Sequence, residues 1–158
     1  MSSSSFVQTC SCPCGASSFE TTAPPVLRFF CHCQICQKLY QQPFADATVL
    51  RLSDVVLPQS HKIQFNKYRK FVGIERGLCA ECNKPVLAIT GSGSKGLAFV
   101  AAQNFSNKDV LPEPEMHIFY GSRAADIADE LPKYKGYVMS QIAVLRSLFS
   151  GGSSAAVK

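Results

Sequence analysis

Eight cysteines in close sets constrain this chain more than any other feature. They are Cys10, Cys12, Cys14, Cys31, Cys33, Cys36, Cys79 and Cys82. In a short secreted chain an even count would mean disulfides. Here Met1 to Ser5 is serine-rich and lacks the basic and apolar regions of a secretory signal, and 158 residues can bury a core without staples. In a reducing compartment cysteines at these spacings read as thiolate metal ligands, so the expected location is cytoplasmic and the expected cofactor zinc, two ions per chain.

The spacings divide the ligands. Cys79-Ala80-Glu81-Cys82 is a knuckle whose tight turn lets two thiolates converge on one ion, and zinc needs a second pair from elsewhere. Cys12-Pro13-Cys14 supplies it. On an extended strand residues i and i+2 share a face, and Pro13 biases Cys12 towards extended backbone. Cys12, Cys14, Cys79 and Cys82 thus make a closed structural site. Cys31-His32-Cys33-Gln34-Ile35-Cys36 offers three thiolates within six residues, and strand alternation turns His32 away from them. Three protein ligands leave a fourth position open, the pattern of a catalytic zinc. Closure by Cys10 or by a distant histidine stays open as the alternative. His61 and His117 read as hydrogen-bonded structural residues, and Gly91 to Gly96 as a hairpin tip rather than a phosphate loop.

With 46% hydrophobic and 17% charged residues the chain folds, and no run approaches the roughly eighteen apolar residues that cross a bilayer. The net charge of +5 has one dense cluster, Lys62, Lys67, Arg69 and Lys70. Phe65, Tyr68 and Phe71 interleave it, so it reads as a solvated face, and nucleic-acid binding is only weakly signalled. Short β-rich runs predict strands over 17–22, 26–31, 45–50, 62–65, 85–90, 97–101 and 117–120. Only Val138, Ile142, Leu145 and Phe149 show helical period, with Gly151 and Gly152 expected to end that helix. The expected layout is a flexible 1–6, a mainly β zinc domain over 7–135, a helix over 136–150 and a disordered tail over 151–158.

CPCG at Cys12 to Gly15, CHCQIC at Cys31 to Cys36, Phe44, Arg76 with CAEC at Cys79 to Cys82, HIFYGSR at His117 to Arg123 and LPKY at Leu131 to Tyr134 resemble the glutathione-dependent formaldehyde-activating enzyme family, which also contains centromere protein V. The resemblance implies a β-tent of curved antiparallel sheets. It also implies a structural zinc on Cys12, Cys14, Cys79 and Cys82, a catalytic zinc on Cys31, Cys33 and Cys36, and addition of glutathione to formaldehyde. The chain departs from the family at Cys10, usually Gly, and over Gln37 to Gln41, where a bulky loop replaces a small one. Asn83-Lys84-Pro85, Phe119 and Asp126 also depart from the family pattern.

The reading is a carbon–sulfur lyase, acting on a small thiol such as glutathione and an aldehyde adduct. Lys38 and Tyr40 are its candidate substrate-binding residues. A non-catalytic zinc module for a protein or chromatin partner is the alternative, and a redox or metal-handling protein a third. The residues leave open the true substrate and whether copies of the chain assemble.

Overall fold

The computed structural model describes residues 5–70 and 73–154. Met1 to Ser4, Phe71, Val72 and Ala155 to Lys158, which include parts of the expected flexible start and tail, lie outside the described residues. Among the described residues ten strands form two sheets. The small sheet joins β1 (Gln8–Ser11), β2 (Ser18–Thr21) and β5 (Val55–Val56) in the order β1-β2-β5. The large one comprises β3 (Leu27–Cys31), β4 (Ala45–Arg51), β6 (Ile63–Lys67), β7 (Ile74–Cys79), β8 (Pro85–Thr90), β9 (Leu97–Ala101) and β10 (His117–Ile118). Its order is β10-β3-β4-β9-β8-β7-β6, antiparallel throughout except where β10 lies parallel to β3. The chain is mainly β, with two sheets and a C-terminal helix, as expected.

Strand alternation explains how one large sheet serves two cores. Cross-strand partners share a face, and successive residues do not. Cys31 pairs with Ala45, Phe29 with Ala47, Leu27 with Val49, and Val49 with Phe99. These residues, with Ile118, line one face and pack on two helices, α1 (Gln34–Tyr40) and α2 (Tyr137–Ser154). Leu50, Val100, Ala98 and Leu87 point the other way and meet Cys10, Cys12 and Phe19 of the small sheet. β4 is accordingly buried along nearly its whole length.

Three strands and one helix escape the sequence patterns. β1 hides among cysteines, β5 has two residues, and β7 reads Ile-Glu-Arg-Gly-Leu-Cys, weak in β-formers. α1 replaces the loop expected over Gln37 to Gln41. Its N-cap is a cysteine: the Cys36 N–H donates to Cys33 Sγ at 3.3 Å, a task that usually falls to Ser, Thr, Asp or Asn. Gln41, left-handed at φ 52°, ends it. α2 in turn runs through Gly151 and Gly152 to Ser154 instead of stopping at them. Glycine inside a helix costs only about 1 kcal/mol against alanine.

Gly77 marks where the large sheet changes. The β7–β8 register shifts between Gly77 and Leu78. A Cβ at Gly77 would come 2.6 Å from Ile63 Cγ2, 2.8 Å from Phe65 Cε1 and 3.0 Å from the Leu87 carbonyl. Only glycine lets β6, β7 and β8 approach this closely.

Two candidate metal centres and a pocket

The fold gathers the cysteines into the two sets their spacing suggested. Cys12, Cys14, Cys79 and Cys82 form one group, and Cys31, Cys33 and Cys36 the other, with the sulfurs of each group within 4.8 Å of one another. In the first, Cys12 and Cys14 sulfurs stand 3.5 Å apart, and Cys14 and Cys79 sulfurs 3.8 Å. Sulfurs at the corners of a tetrahedron with bonds of about 2.3 Å stand about 3.8 Å apart, so the spacing fits zinc. Amides aim at these sulfurs: Ser17 N–H donates to Cys12 at 3.3 Å and Glu81 N–H to Cys79 at 3.4 Å. Burial pushes the Cys79 thiol up, but the Ser17 hydroxyl and the Cys82 and Glu81 amides outweigh it and bring it down to about 6. Donors that favour the ionised sulfur suit a metal ligand.

The three-cysteine group lies at the end of β3 and in the first turn of α1. Hydrogen bonds from Cys31 and Cys36 hold the Cys33 thiol far down, and the same contacts push Cys31 up. Three sulfurs this close cannot all ionise without a cation, so the donor set fits a soft dication such as zinc. Among the described residues no fourth Cys, His, Asp or Glu joins the group. Cys10 does not close it. It is fully buried in the other core, where burial pushes its thiol up to about 12.

His32 turns away from the cysteines, as alternation required. It is buried, and its Nε2 lies 2.8 Å from His117 Nδ1; His117 Nε2 lies 2.7 Å from Asp129 Oδ2. Lys133 Nζ donates to Asp129 Oδ1 at 2.7 Å. A carboxylate accepts, so His117 donates to Asp129 from Nε2, and the His117 Nδ1–His32 Nε2 hydrogen bond continues the chain to the second ring. Burial, then the nearby His117, lower the His32 pKa to about 4, which keeps its ring neutral. Gln37 adds a clamp: its Nε2 donates to the carbonyls of His32 at 2.6 Å and Ser122 at 2.8 Å. His61 accepts the Ile63 N–H through Nδ1 and stays apart from both groups.

A pocket of ≈ 130 Å³ opens beside Cys31, Cys33 and Cys36, walled chiefly by apolar side chains of the sheet, α1 and α2. Tyr40 lines it and Lys38 does not; Lys38 is exposed two positions away on α1. The charges in the wall are Arg69 and Arg76, neither of which the sequence reading had assigned a role. Arg76 pairs with Ala88 across the sheet and Ala88 with Phe99, which puts its side chain on the Cys31 face. Its guanidinium is felt at Cys33, Cys36 and Tyr40, and it has no hydrogen-bond or ion-pair partner among the described residues. The signal for it was its place three residues before Cys79.

With this geometry in hand, comparison with known proteins decides the lineage. The sequence model of the glutathione-dependent formaldehyde-activating enzyme matches residues 7–122, a span that holds all eight cysteines. The chain belongs to that family. Membership of the glutathione-dependent formaldehyde-activating enzyme family ties the chain to glutathione and formaldehyde chemistry. Among solved structures, a Rhodobacter sphaeroides protein is similar at 20% identity and a TM-score of 0.51, over 67% of this chain and 96% of that one. At that identity the likeness speaks for the fold alone. No curated protein matches the chain significantly. No described helix is long and apolar enough to cross a membrane.

Proposed function

We propose that the chain is a zinc-dependent carbon–sulfur lyase acting on a thiol–aldehyde adduct, similar in activity to S-(hydroxymethyl)glutathione synthase. One observation carries the reading: three convergent cysteines, without a fourth side-chain ligand among the described residues, border an apolar pocket. Cys12, Cys14, Cys79 and Cys82 would hold a structural zinc, and Cys31, Cys33 and Cys36 a second one. Zinc bound at the second set supplies a fourth position in which a thiol stays ionised at neutral pH.

The chain's own residues do the rest. Arg76 and Arg69 are the cations available to a carboxylate of the thiol, and Arg76 has no hydrogen-bond or ion-pair partner among the described residues. A guanidinium binds a carboxylate through two parallel hydrogen bonds, so it orients as well as attracts. Burial pushes the Tyr40 hydroxyl far up, so it keeps its proton and is the donor available to the aldehyde oxygen. In the forward direction a carbon–sulfur bond forms, the carbonyl π pair moves to oxygen, and the proton lost by the thiol ends there. The reverse direction releases aldehyde and thiol.

A cobalt-loaded sample tests the reading. Glutathione should change the sulfur-to-metal absorption in wild type and leave it unchanged in Cys33→Ala; an unchanged wild-type spectrum with any thiol contradicts it. The second reading, a non-catalytic zinc module for a protein partner, draws on α2. Val138, Ile142, Leu145 and Phe149 are exposed at four-three-four spacing on that helix, Phe149 to 88%. The same silent spectrum would favour it.

A further inference from the structure

The pocket is too large and too dry for the one-carbon aldehyde of the family's name. Its ≈ 130 Å³ is close to the roughly 150 Å³ of an engineered apolar cavity that takes up benzene. Formaldehyde offers nothing for Phe29, Ala47, Phe99 or Ile118 to bury.

Part of the wall facing the sheet comes from outside the family match, which ends at residue 122. Tyr137, Gln141 and Val144 of α2 supply it. α2 also fixes Phe119, another wall residue, whose left-handed φ of 53° is uncommon for an aromatic side chain. The Phe119 N–H donates to Ser140 Oγ at 2.9 Å, and that buried hydroxyl donates in turn to the Tyr134 carbonyl at 3.3 Å. The helix thus shapes the space next to the three cysteines as well as covering it.

We propose that the aldehyde half of the adduct carries an apolar group of about six carbons, aryl or branched alkyl, seated between the large sheet and α2. The proposal rests on the lyase reading and specifies its substrate. The sulfur adds to the carbonyl carbon of this larger aldehyde, and the thiol proton ends on the new hydroxyl; no oxidant or reductant takes part. The arginines hold the thiol's carboxylates while the apolar group fills the space that glutathione itself leaves.

S-benzylglutathione and S-methylglutathione are stable thioether stand-ins for the two kinds of adduct. Calorimetry on the zinc-loaded full chain should find the benzyl compound bound more tightly by about tenfold or more, from the burial of its ring. Equal affinities, or tighter binding of the methyl compound, overturn the proposal. Ala88→Phe, at a partly exposed wall position, should erase the preference between the two compounds. A folded Ala88→Phe protein that retains the full preference also overturns it, and should that variant fail to fold, the wild-type pair still decides. If neither thioether binds while glutathione still alters the cobalt spectrum, the apolar substrate falls and the lyase reading stands. A silent cobalt spectrum removes both.

Discussion

The two cysteine groups reverse the usual association of exposure with exchange. The closed group is the more exposed one: Cys14 is exposed and Cys82 partly so. The group with three ligands has Cys31 and Cys33 buried. What separates them is where in the chain the ligands come from. Cys14 and Cys79 are 65 residues apart in sequence and tie the small sheet to the end of β7. Cys31 to Cys36 span a single strand end and helix start. In the chain-entropy picture a cross-link spanning some 65 residues stabilises by about 4 kcal/mol, and one spanning six by about 2. The first group ought therefore to hold the fold together, and the second to sit on a fold already made.

The harshest way to break that comparison is to remove a ligand from each group. Cys12→Ala or Cys79→Ala should unfold or aggregate the protein, because structural zinc is worth about 10–16 kcal/mol in small zinc peptides, comparable with a domain's whole stability. Cys36→Ala should stay folded and carry one zinc where wild type carries two. Circular dichroism and elemental analysis read both outcomes, and equal loss of structure in the two classes would erase the distinction. A chelator should likewise strip one ion from wild type well before the other.

Gly77→Ala comes next in size. The new Cβ would meet Ile63, Phe65 and the Leu87 carbonyl at 3.0 Å or less, so a loss of about 1–3 kcal/mol in urea unfolding is expected. A change within error would mean that the strands part more readily than their contacts imply.

The smallest effect sharpens the comparison from behind. Asp129→Asn weakens the chain that runs through His117 to His32 beside the three cysteines. It should speed metal release there about fivefold, the weight of one hydrogen bond, and leave the four-cysteine group unchanged. Lys133, then His117, hold the Asp129 carboxyl down at about 2, below its ordinary value near 3.8. Its contribution is therefore complete above the ordinary carboxylate range and is lost only as the pH falls towards 2. The difference between wild type and variant should be the same at pH 6 and pH 8.

The metal-binding geometry was legible because cysteine spacing is a local code: i, i+2 and knuckle geometry suggest both groups and the turning away of His32, and the family resemblance adds that the second group stays open. The rest is distributed. Arg76 faces the pocket through two successive cross-strand pairings, and no periodicity in its own segment reveals that. Its strand was itself invisible, since glutamate, arginine and glycine in a row carry no β pattern. α1 was hidden by its unusual cap, and its Lys38 looked like the cation of the site only while that segment was read as a loop. The apolar strands and the terminal helix, by contrast, announced themselves through alternation and period.

β7 carries Cys79 at its end and Arg76 three positions earlier, with the register shift at Gly77 between them. Whatever loosens the closed knuckle therefore slackens the arm that positions the guanidinium, although the two lie on opposite faces of the sheet. In a batch of unevenly metallated molecules, those lacking the ion at Cys12, Cys14, Cys79 and Cys82 would lose the fold that sets Arg76 beside the Cys31 to Cys36 motif, and with it the grip on an acid group. Turnover in such a mixture would count only the molecules with both sites filled.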